Sequence, residues 1–266
     1  MTHSILLSCI RCNHKEIWKY GFYKVVQVYK CKKCGATFTE NSKSKYSRHR
    51  YPKRIILTAV MLYRYGLSSY AISEVLRKRF RTRVSAWTVC KWVRKFGHNI
   101  RELCRHLNMQ FSKIWHVDEM FIRAKGRMNY LYAVIDDQSN VIALYVSHRR
   151  DRLSAITCLR KAKYIAGRPD IIVTDEWPAY TRVIKKVFGR GRVKHVQAHF
   201  KKELVWLNNE IYALSNNRIE GWNSWFRRIY RGMRGFKSIL SMQRFLDIFG
   251  VLWNLKDKGW GFLAGL

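Results

Sequence analysis

The sequence is poor in acidic residues and in long apolar runs. Only 17 of its 266 residues are Asp or Glu, against 52 Lys and Arg. The longest apolar run, Ile55 to Tyr63, has Thr58 inside it and falls short of the roughly 18 to 20 residues that a membrane-spanning helix needs. The opening residues, Met-Thr-His-Ser, lack the basic lead of a signal peptide. We therefore expect no membrane association and a cytoplasmic location.

The excess of basic residues predicts a polyanionic partner. The formal net charge is +35, and Lys and Arg are spread along the whole chain. Each phosphate that a basic side chain neutralises releases condensed counterions, so this charge favours nucleic acid, with a membrane surface as the weaker alternative. A hydrophobic content of 48% is enough for a packed core. We expect a globular protein that binds nucleic acid.

The cysteines predict a zinc site near the start of the chain. In a reducing cytoplasm, seven cysteines are better explained as metal ligands or buried thiols than as disulfides. Two CxxC pairs lie 18 residues apart, and they consist of Cys9, Cys12, Cys31 and Cys34. A closed shell of four thiolates holds one structural Zn²⁺ and leaves no open position for catalysis. Short strands at Phe22–Tyr29 and Gly35–Thr39 would complete a zinc ribbon over residues 1–42, whose contact with DNA stays open.

A helix-turn-helix domain is predicted over residues 52–108, after a basic linker at 43–51. Pro52 begins a first amphipathic helix, Ser68 or Ser69 caps a second, and Ser85 caps a third. The outward side of the third helix carries the residues that a DNA major groove would meet, namely Thr88, Lys91 and Lys95. A helical bundle with solvated lysines is the alternative.

From Ile114 onward the pattern predicts a mixed α/β fold. Three apolar segments bounded by turns predict consecutive antiparallel strands, and Asp151 then caps a helix. A short buried strand ends at Asp175, and a further helix and strand reach about Gln197. Three strands followed by alternating helix and strand indicate an RNase H-like sheet.

Three carboxylates lie on different elements of this predicted domain. Period-two alternation puts Asp118 on one face of its apolar strand and sends Glu119 to the other. Asp175 ends the buried strand, and Glu220 lies on a later helix. An acid in an apolar strand is costly to bury unless it is paired or metal-bound. Two Mg²⁺ ions would require such a trio to activate the attacking and leaving oxygens of a phosphodiester.

Each of these acids also has a structural explanation. Asp118 could pair with a lysine, and Asp175 could cap the helix that follows it. Asn217 with Glu220 three residues later resembles a helix capping box. Arg227, nearly two turns after Glu220, could hold a phosphate beside the metals or could simply be solvated.

The motifs occur in a characteristic order. The set comprises the helix-turn-helix, Val117-Asp118-Glu119, Arg150-Asp151, Val173-Thr174-Asp175, Asn216-Asn217-Arg218-Ile219-Glu220 and Arg227. This order resembles the DDE transposases of the insertion-sequence-six family over roughly residues 51 to 255. The resemblance implies that Asp118, Asp175 and Glu220 bind metal and that Arg227 is the basic residue after the glutamate. It also implies an RNase H-like catalytic domain over 109–231.

The resemblance implies a substrate, cofactors and partners as well. Family members cut transposon ends and join 3′-hydroxyls to target DNA, so we expect binding to terminal inverted repeats and target duplex. Two Mg²⁺ or Mn²⁺ ions would occupy the catalytic site. A homodimer or higher homo-oligomer is expected. The alternatives are a catalytically silent DNA-binding regulator and an RNase H-like nuclease that acts on RNA–DNA hybrids.

Two features depart from the family pattern: the zinc ribbon, which only some relatives carry, and a long stretch before Glu220. The 44 residues between Asp175 and Glu220 are more than usual and predict an insertion at about 190–214. An ordinary surface insertion is the favoured interpretation. The alternative is contact with DNA or a second subunit through His195, His199, Lys201, Lys202 and Trp206. A C-terminal helical extension over 232–266 would pack on the catalytic domain or on a partner subunit.

Overall fold

The computed structural model describes residues 8–23, 25–39, 42, 49–95, 109–124, 126–198, 202–207, 210–233, 236 and 238–255. Contacts divide the chain into two compact units. Among the described residues, the first unit contains those up to Tyr63 and from Ser68 to Val93, and the second contains residues 64–67 and those from Arg94 onward. Most of the predicted linker, residues 96–108 and the last eleven residues lie outside the described ranges, as do His199 and Lys201. No helix in the described ranges is long and apolar enough to cross a membrane.

The first unit contains a small three-stranded antiparallel sheet. Its strands are β1 (Ile17–Tyr23), β2 (Val26–Cys31) and β3 (Thr37–Thr39), in the order β1-β2-β3. The two predicted strand segments are present, but a turn after Tyr23 splits the first of them and adds an edge strand. Among the described residues, its buried core cluster consists only of Cys9, Cys31 and Phe38, with Val26 buried beside it, so the module depends on its cysteines for a core.

Three helices follow, as predicted, and lie almost entirely in the first unit. They are α1 (Lys53–Arg64), α2 (Ser69–Phe80) and α3, which is described over residues 86–95. Ser68 caps α2 by accepting a hydrogen bond from the Ala71 amide, and Ser85 accepts one from the Thr88 amide at 3.1 Å. Both serines satisfy amides that lack partners within the helix. The predicted helical triplet is therefore confirmed.

The second unit contains a five-stranded sheet. Its strands are β4 (Ile114–Ala124), β5 (Arg127–Asp136), β6 (Val141–Ser147), β7 (Ile171–Thr174) and β8 (Lys194–Gln197). The spatial order is β6-β5-β4-β7-β8. The first three strands pair antiparallel, whereas β7 is parallel to β4 and β8 is parallel to β7. This is the RNase H-like arrangement that the sequence predicts.

The two faces of this sheet are covered differently. Helices α4 (Arg152–Ala166) and α5 (Ala179–Phe188) share a core with Trp115 and Val117 of β4. Ile114 belongs instead to the core of the opposite face, with Val173 of β7. Since alternate residues of a strand face opposite sides, Asp118 and Glu119 also leave β4 on opposite faces.

The predicted insertion at about 190–214 contains two different structures. Its first part is β8, which belongs to the main sheet. Its second part is a separate antiparallel hairpin of β9 (Glu203–Leu207) and β10 (Glu210–Leu214). Val205 and Leu214 pack in the core under the sheet, whereas Lys202 and Trp206 are exposed.

Two long helices complete the second unit: α6 (Asn217–Gly232) and α7 (Ile239–Asn254). Edge-on and tilted ring pairs join them, including Trp222 with Phe249 and Phe226 with Phe245. The C-terminal helix packs on the catalytic sheet, as predicted, because α7 lies along the edge strand β6. Gln243 and Asn254 bond to the backbone of that strand.

Candidate functional site

Asp118 lies in the middle of β4, where two groups donate hydrogen bonds to its carboxylate. The Glu119 amide donates to Oδ1 at 2.8 Å, and Asn223 Nδ2 on α6 donates to Oδ2 at 2.7 Å. Burial raises the pKa of Asp118 to about 7, and the negative charges of Glu119, Asp175 and Glu220 add to this shift. Asp118 therefore pairs with an asparagine and not with a lysine.

Asp175 is brought beside Asp118 by the parallel pairing of β7 with β4. Thr174, the last residue of β7, is aligned with Val117, so the next residue on each strand is an aspartate. The Trp177 amide donates to Asp175 Oδ1 at 3.1 Å. Asp175 thus closes a turn before α5, but α5 itself begins four residues later, at Ala179, and has no side-chain cap. Oδ2 of Asp175 accepts no hydrogen bond from the residues that the structure describes, so it can bind another ligand.

A third acid, Glu119, completes a close group. Oxygens from the carboxylates of Asp118, Glu119 and Asp175 all lie within 4.8 Å of one another. Carboxylate oxygens are the ligands that Mg²⁺ prefers, and a divalent cation would offset their mutual repulsion. Sequence reasoning placed Glu119 on the opposite face and did not include it, although the adjacent Asp-Glu pair was visible.

Glu220 lies in the first turn of α6 and outside that close group. Its charge contributes to the raised pKa of Asp118, so it lies in the same neighbourhood. The capping box considered for Asn217 and Glu220 is not formed, because Asn216 is the N-cap and makes no side-chain cap hydrogen bond. Arg227 is exposed, nearly two turns further along the helix. The roles of Glu220 and Arg227 stay predictions.

Asn223 is a site residue that sequence reasoning did not assign. Its side chain is buried, and its Nδ2 bonds to Asp118 while its Oδ1 has no hydrogen-bond partner among the described residues. An unsatisfied buried carbonyl oxygen is costly, and it is also a hard donor of the kind that Mg²⁺ accepts. The donor set around Asp118 therefore fits a divalent metal. The available signal was the spacing of Asn223, one turn after Glu220.

Glu119 is held by two partners on its own face of the sheet. Arg150 Nε donates to Oε1 at 2.6 Å, and Nη2 of the same guanidinium forms an ion pair with that oxygen. The Tyr180 hydroxyl donates to Oε2 at 2.5 Å. The Arg150 guanidinium also lies over the Trp177 ring, 5.1 Å from its centroid. Sequence reasoning noted Arg150 only as part of a motif and missed its contact with Glu119.

The four predicted zinc ligands are brought together in the first unit. The Sγ–Sγ distances are 3.5 Å for Cys9 with Cys34, 3.6 Å for Cys12 with Cys31, and 3.4 Å for Cys12 with Cys34. Zn–S bonds of about 2.3 Å in a tetrahedron place sulfurs about 3.7 Å apart. A disulfide would need about 2.05 Å. The geometry fits one zinc ion with a closed thiolate shell.

The predicted DNA-binding residues lie on α3. Lys91 and Lys95 are exposed, and the Lys91 ammonium is 3.4 Å from the centroid of the Trp87 ring. Thr88 is half-buried, and its hydroxyl lies 2.9 Å from the Ser85 hydroxyl that caps the helix. Trp87, which sequence reasoning missed, is 64% exposed and adds a large aromatic surface beside the lysines.

Comparison with known proteins connects this geometry to a family. The DDE domain model of IS240-type transposases matches residues 112–259. The chain is 26% identical over 214 residues to the transposase for insertion sequence-like element IS431mec of Staphylococcus aureus, and the match covers 77% of this chain and 93% of that protein. The transposase for insertion sequence element IS257 in transposon Tn4003 of the same species gives the same identity and coverage.

A similar structure has also been solved. The HTLV-2 integrase catalytic core domain in complex with magnesium, in its dimeric form, is 17% identical with a TM-score of 0.39. The match covers 57% of this chain and 90% of that one.

Proposed function

Because the chain belongs to the DDE domain family of IS240-type transposases, we propose that it binds the terminal inverted repeats of an insertion sequence and cuts and rejoins DNA there. The enzyme class, a polynucleotidyl transferase, follows from the family. The observation that carries the proposal is the convergence of Asp118 and Asp175, from parallel strands, on one group of carboxylates.

In this proposal, Asp118, Asp175 and Glu220 hold two divalent ions, Mg²⁺ or Mn²⁺. When bound, such ions activate the attacking oxygen and stabilise the leaving oxygen of a phosphodiester. Asn223 fixes the Asp118 carboxylate, and the Trp177 amide fixes that of Asp175. Water attacks the phosphorus at the transposon end and releases a 3′-hydroxyl, which then attacks a phosphodiester of the target. Each reaction exchanges one P–O bond for another, so no covalent intermediate with the protein is needed.

The remaining segments have proposed roles in DNA binding and assembly. A zinc ribbon over 1–42 would hold one structural Zn²⁺, and a helix-turn-helix domain over 52–108 would present Lys91 and Lys95 to DNA. The catalytic domain would span 109–231, followed by the extension over 232–266. A homodimer would let two transposon ends be processed together. The relatives are bacterial transposases, which supports action on the DNA of a bacterial cell.

The proposal is tested with oligonucleotide duplexes that carry the ends of the element, identified as short inverted repeats flanking the gene. Wild-type protein should cleave them and join them to a plasmid in Mg²⁺ or Mn²⁺. Asp175→Asn should lower joining by about 10³-fold or more, since it removes a metal ligand. The matched control is Glu176→Gln, which neutralises an exposed neighbouring acid and should stay within about 3-fold of the wild type.

Three results would contradict this function. Equal joining by the wild type and Asp175→Asn would refute the carboxylate assignment. Binding of the ends without metal-dependent cleavage would identify a silent regulator. Cleavage of an RNA–DNA hybrid but not of the duplex ends would identify an RNase H-like nuclease.

A further inference from the structure

Both carboxylate oxygens of Glu119 are already engaged within the protein. Its side chain is only 4% exposed, one oxygen faces Arg150, and the other accepts from Tyr180. A carboxylate this buried is stable only with a charged partner and further hydrogen bonds, and both are present. Although its carboxylate lies within reach of Asp118 and Asp175, Glu119 is thus engaged on the opposite face of the sheet.

Arg150 is engaged on one side and open on the other. A guanidinium carries five N–H donors, and Glu119 takes up those of Nε and Nη2. The side chain is nevertheless 42% exposed, so the remaining edge reaches solvent. Partial burial lowers the pKa of Arg150, but the charges of Glu119 and Asp175 outweigh this effect and raise it. The Arg150 guanidinium also lies close to the proposed metal ligands, because Glu119, which it contacts, is within 4.8 Å of Asp118 and Asp175.

We propose that Arg150 binds a backbone phosphate of the DNA strand at the carboxylate site, and that Glu119 is a positioning residue for Arg150 and not a metal ligand. This inference rests on the proposed function. Glu119 and Arg150, which lie 31 residues apart in the sequence, act together in this proposal.

The site needs a fixed cation of this kind. The three proposed metal ligands, Asp118, Asp175 and Glu220, face a substrate that is itself anionic. Guanidinium groups suit phosphate because they offer paired, planar donors. Glu119, itself held by Tyr180, and the Trp177 ring already restrict Arg150, so DNA binding does not have to order a long side chain. Arg227, which is exposed on α6, makes no comparable ion pair or ring contact with the residues that the structure describes.

The first experiment compares Arg150→Ala with Arg149→Ala, its exposed neighbour. Pre-cleaved transposon ends are joined to target DNA under single-turnover conditions, with saturating DNA and Mn²⁺. We expect Arg150→Ala to lower the rate by about 10- to 100-fold, because a charge-assisted phosphate contact is lost. Arg149→Ala should stay within about 3-fold. Arg150→Lys keeps the charge but not the paired donors of the guanidinium, so its joining rate should lie between those of the two alanine variants.

A second arm locates the phosphate. Methylphosphonate linkages, which remove one backbone charge, are placed singly around the joining site. At the contacted position, the methylphosphonate should lower the joining rate of the wild type. It should not lower the rate of Arg150→Ala any further, because both changes remove the same interaction. Wild-type rates for Arg150→Ala, or full additivity of the two changes at every position, would overturn the inference.

A third arm separates positioning from metal binding. Glu119→Gln should slow joining about as much as Arg150→Ala, while its affinity for Mn²⁺, measured by calorimetry, stays within about 3-fold of the wild type. Asp175→Asn should lose Mn²⁺ binding in the same assay. Equal loss of Mn²⁺ binding by Glu119→Gln would make Glu119 a ligand and refute its positioning role. Should Glu119→Gln fail to fold, Tyr180→Phe removes one hydrogen bond from the same carboxylate and takes its place.

The outcomes also distinguish the two levels of proposal. A wild-type protein that joins no ends in either metal refutes the proposed function. If the wild type joins ends and Arg150→Ala joins them at the same rate, the phosphate contact is refuted but the proposed function is not.

Discussion

At the scale of single residues, Asp118 destabilises the metal-free protein but supplies a carboxylate that can bind a metal ion. Its carboxylate is largely buried among other acids, and burial is the main reason that its pKa rises to about 7. Two hydrogen bonds hold it in place, but neither supplies a positive charge. Active sites commonly keep such unfavourable groups because function requires them. The metal-free protein therefore carries a repulsion that a cation would remove.

Asp118→Asn should stabilise the metal-free protein while abolishing joining. The substitution removes one charge from the cluster, and the unpartnered Oδ1 of Asn223 can turn to accept from the new amide. We expect a higher melting temperature in EDTA than for the wild type, by a few degrees. Addition of Mg²⁺ should then raise the wild-type melting temperature but not that of the variant. A lower melting temperature for Asp118→Asn in EDTA would contradict the repulsion argument.

His195 should make stability depend on pH. Its Nε2 lies 2.9 Å from the Thr174 hydroxyl and its Nδ1 lies 3.3 Å from that of Thr181. Burial lowers the pKa of His195, and Lys185 lowers it further. The folded state thus favours the neutral imidazole. The free energy of unfolding therefore decreases as the pH falls below the unfolded-state pKa of about 6.5, and it stops decreasing once the pH is below the folded-state pKa.

Thermal melting of wild type and His195→Gln between pH 8 and pH 5 measures this effect. Glutamine offers a donor and an acceptor but does not titrate in this range. The wild type should lose more stability than the variant on acidification, and the difference should grow until the pH has passed the folded-state pKa of His195. Parallel curves for the two proteins would show that His195 does not contribute.

At the scale of elements, the strands and helices with strong patterns could be predicted from the sequence. The apolar segments of β4, β5 and β6 and the serine-capped helices carry local signals that the structure follows. The strand predicted to reach about Gln197 corresponds to β8. The hairpin of β9 and β10 was not predicted, because the long spacing before Glu220 indicated a surface insertion without specifying the strands inside it.

The candidate site could be predicted only in part for a different reason. Acidic residues in apolar settings are visible in a sequence, so Asp118 and Asp175 were found. Their partners are tertiary, since Asn223 lies 105 residues after Asp118. No local spacing encodes such a contact, and the same holds for Arg150 with Glu119.

Helix α7 protects the exposed edge of the large sheet. Asn254 accepts from the Val141 amide and donates to the Val141 carbonyl, each at 2.7 Å. Gln243 accepts from the Val146 amide and donates to the Leu144 carbonyl, each at 3.0 Å. Eleven residues of helix and five of strand both span about 16 Å, so the two amides match the strand in length. Side chains here take the place of a neighbouring strand.

Asn254→Ala should destabilise the protein and expose this edge. Loss of both hydrogen bonds leaves a buried amide and carbonyl unsatisfied, at a cost of roughly 2–4 kcal/mol. Urea unfolding measures the stability, and light scattering measures the aggregation that an open edge strand promotes. The control is Arg244→Ala on the exposed side of α7, which should change stability by less than about 0.5 kcal/mol. Equal effects of the two substitutions would contradict the protective role.

The N-terminal sheet should depend on its metal. Its core of three buried residues is too small to fold alone, so Cys31→Ser should remove one equivalent of zinc and unfold this module. Metal analysis of purified protein checks the stoichiometry. Cys90→Ser, a substitution in α3 outside the cysteine cluster, is the control and should keep one equivalent. One retained equivalent of zinc in Cys31→Ser would contradict the assignment of four ligands.

At the scale of the whole molecule, charge dominates the expected behaviour toward DNA. The 52 basic residues exceed the acidic ones by 35, and exposed examples such as Lys91 occur alongside those near the carboxylates. Contacts with six to ten phosphates would weaken binding to random-sequence duplex by about 10³- to 10⁵-fold between 50 and 200 mM salt. Fluorescence anisotropy at several salt concentrations measures the slope. Affinity independent of salt would contradict a phosphate-dominated interface.

The contact between Asp118 and Asn223 has a consequence for the timing of synthesis. A ribosome adding about 5–20 residues per second needs roughly 5–20 s to make the chain between them. During that interval the first acid exists without the helix that orients it, and β7 with Asp175 arrives partway through. The newborn chain therefore cannot complete this arrangement until α6 has emerged, and any nuclease activity begins only once most of the protein has been translated.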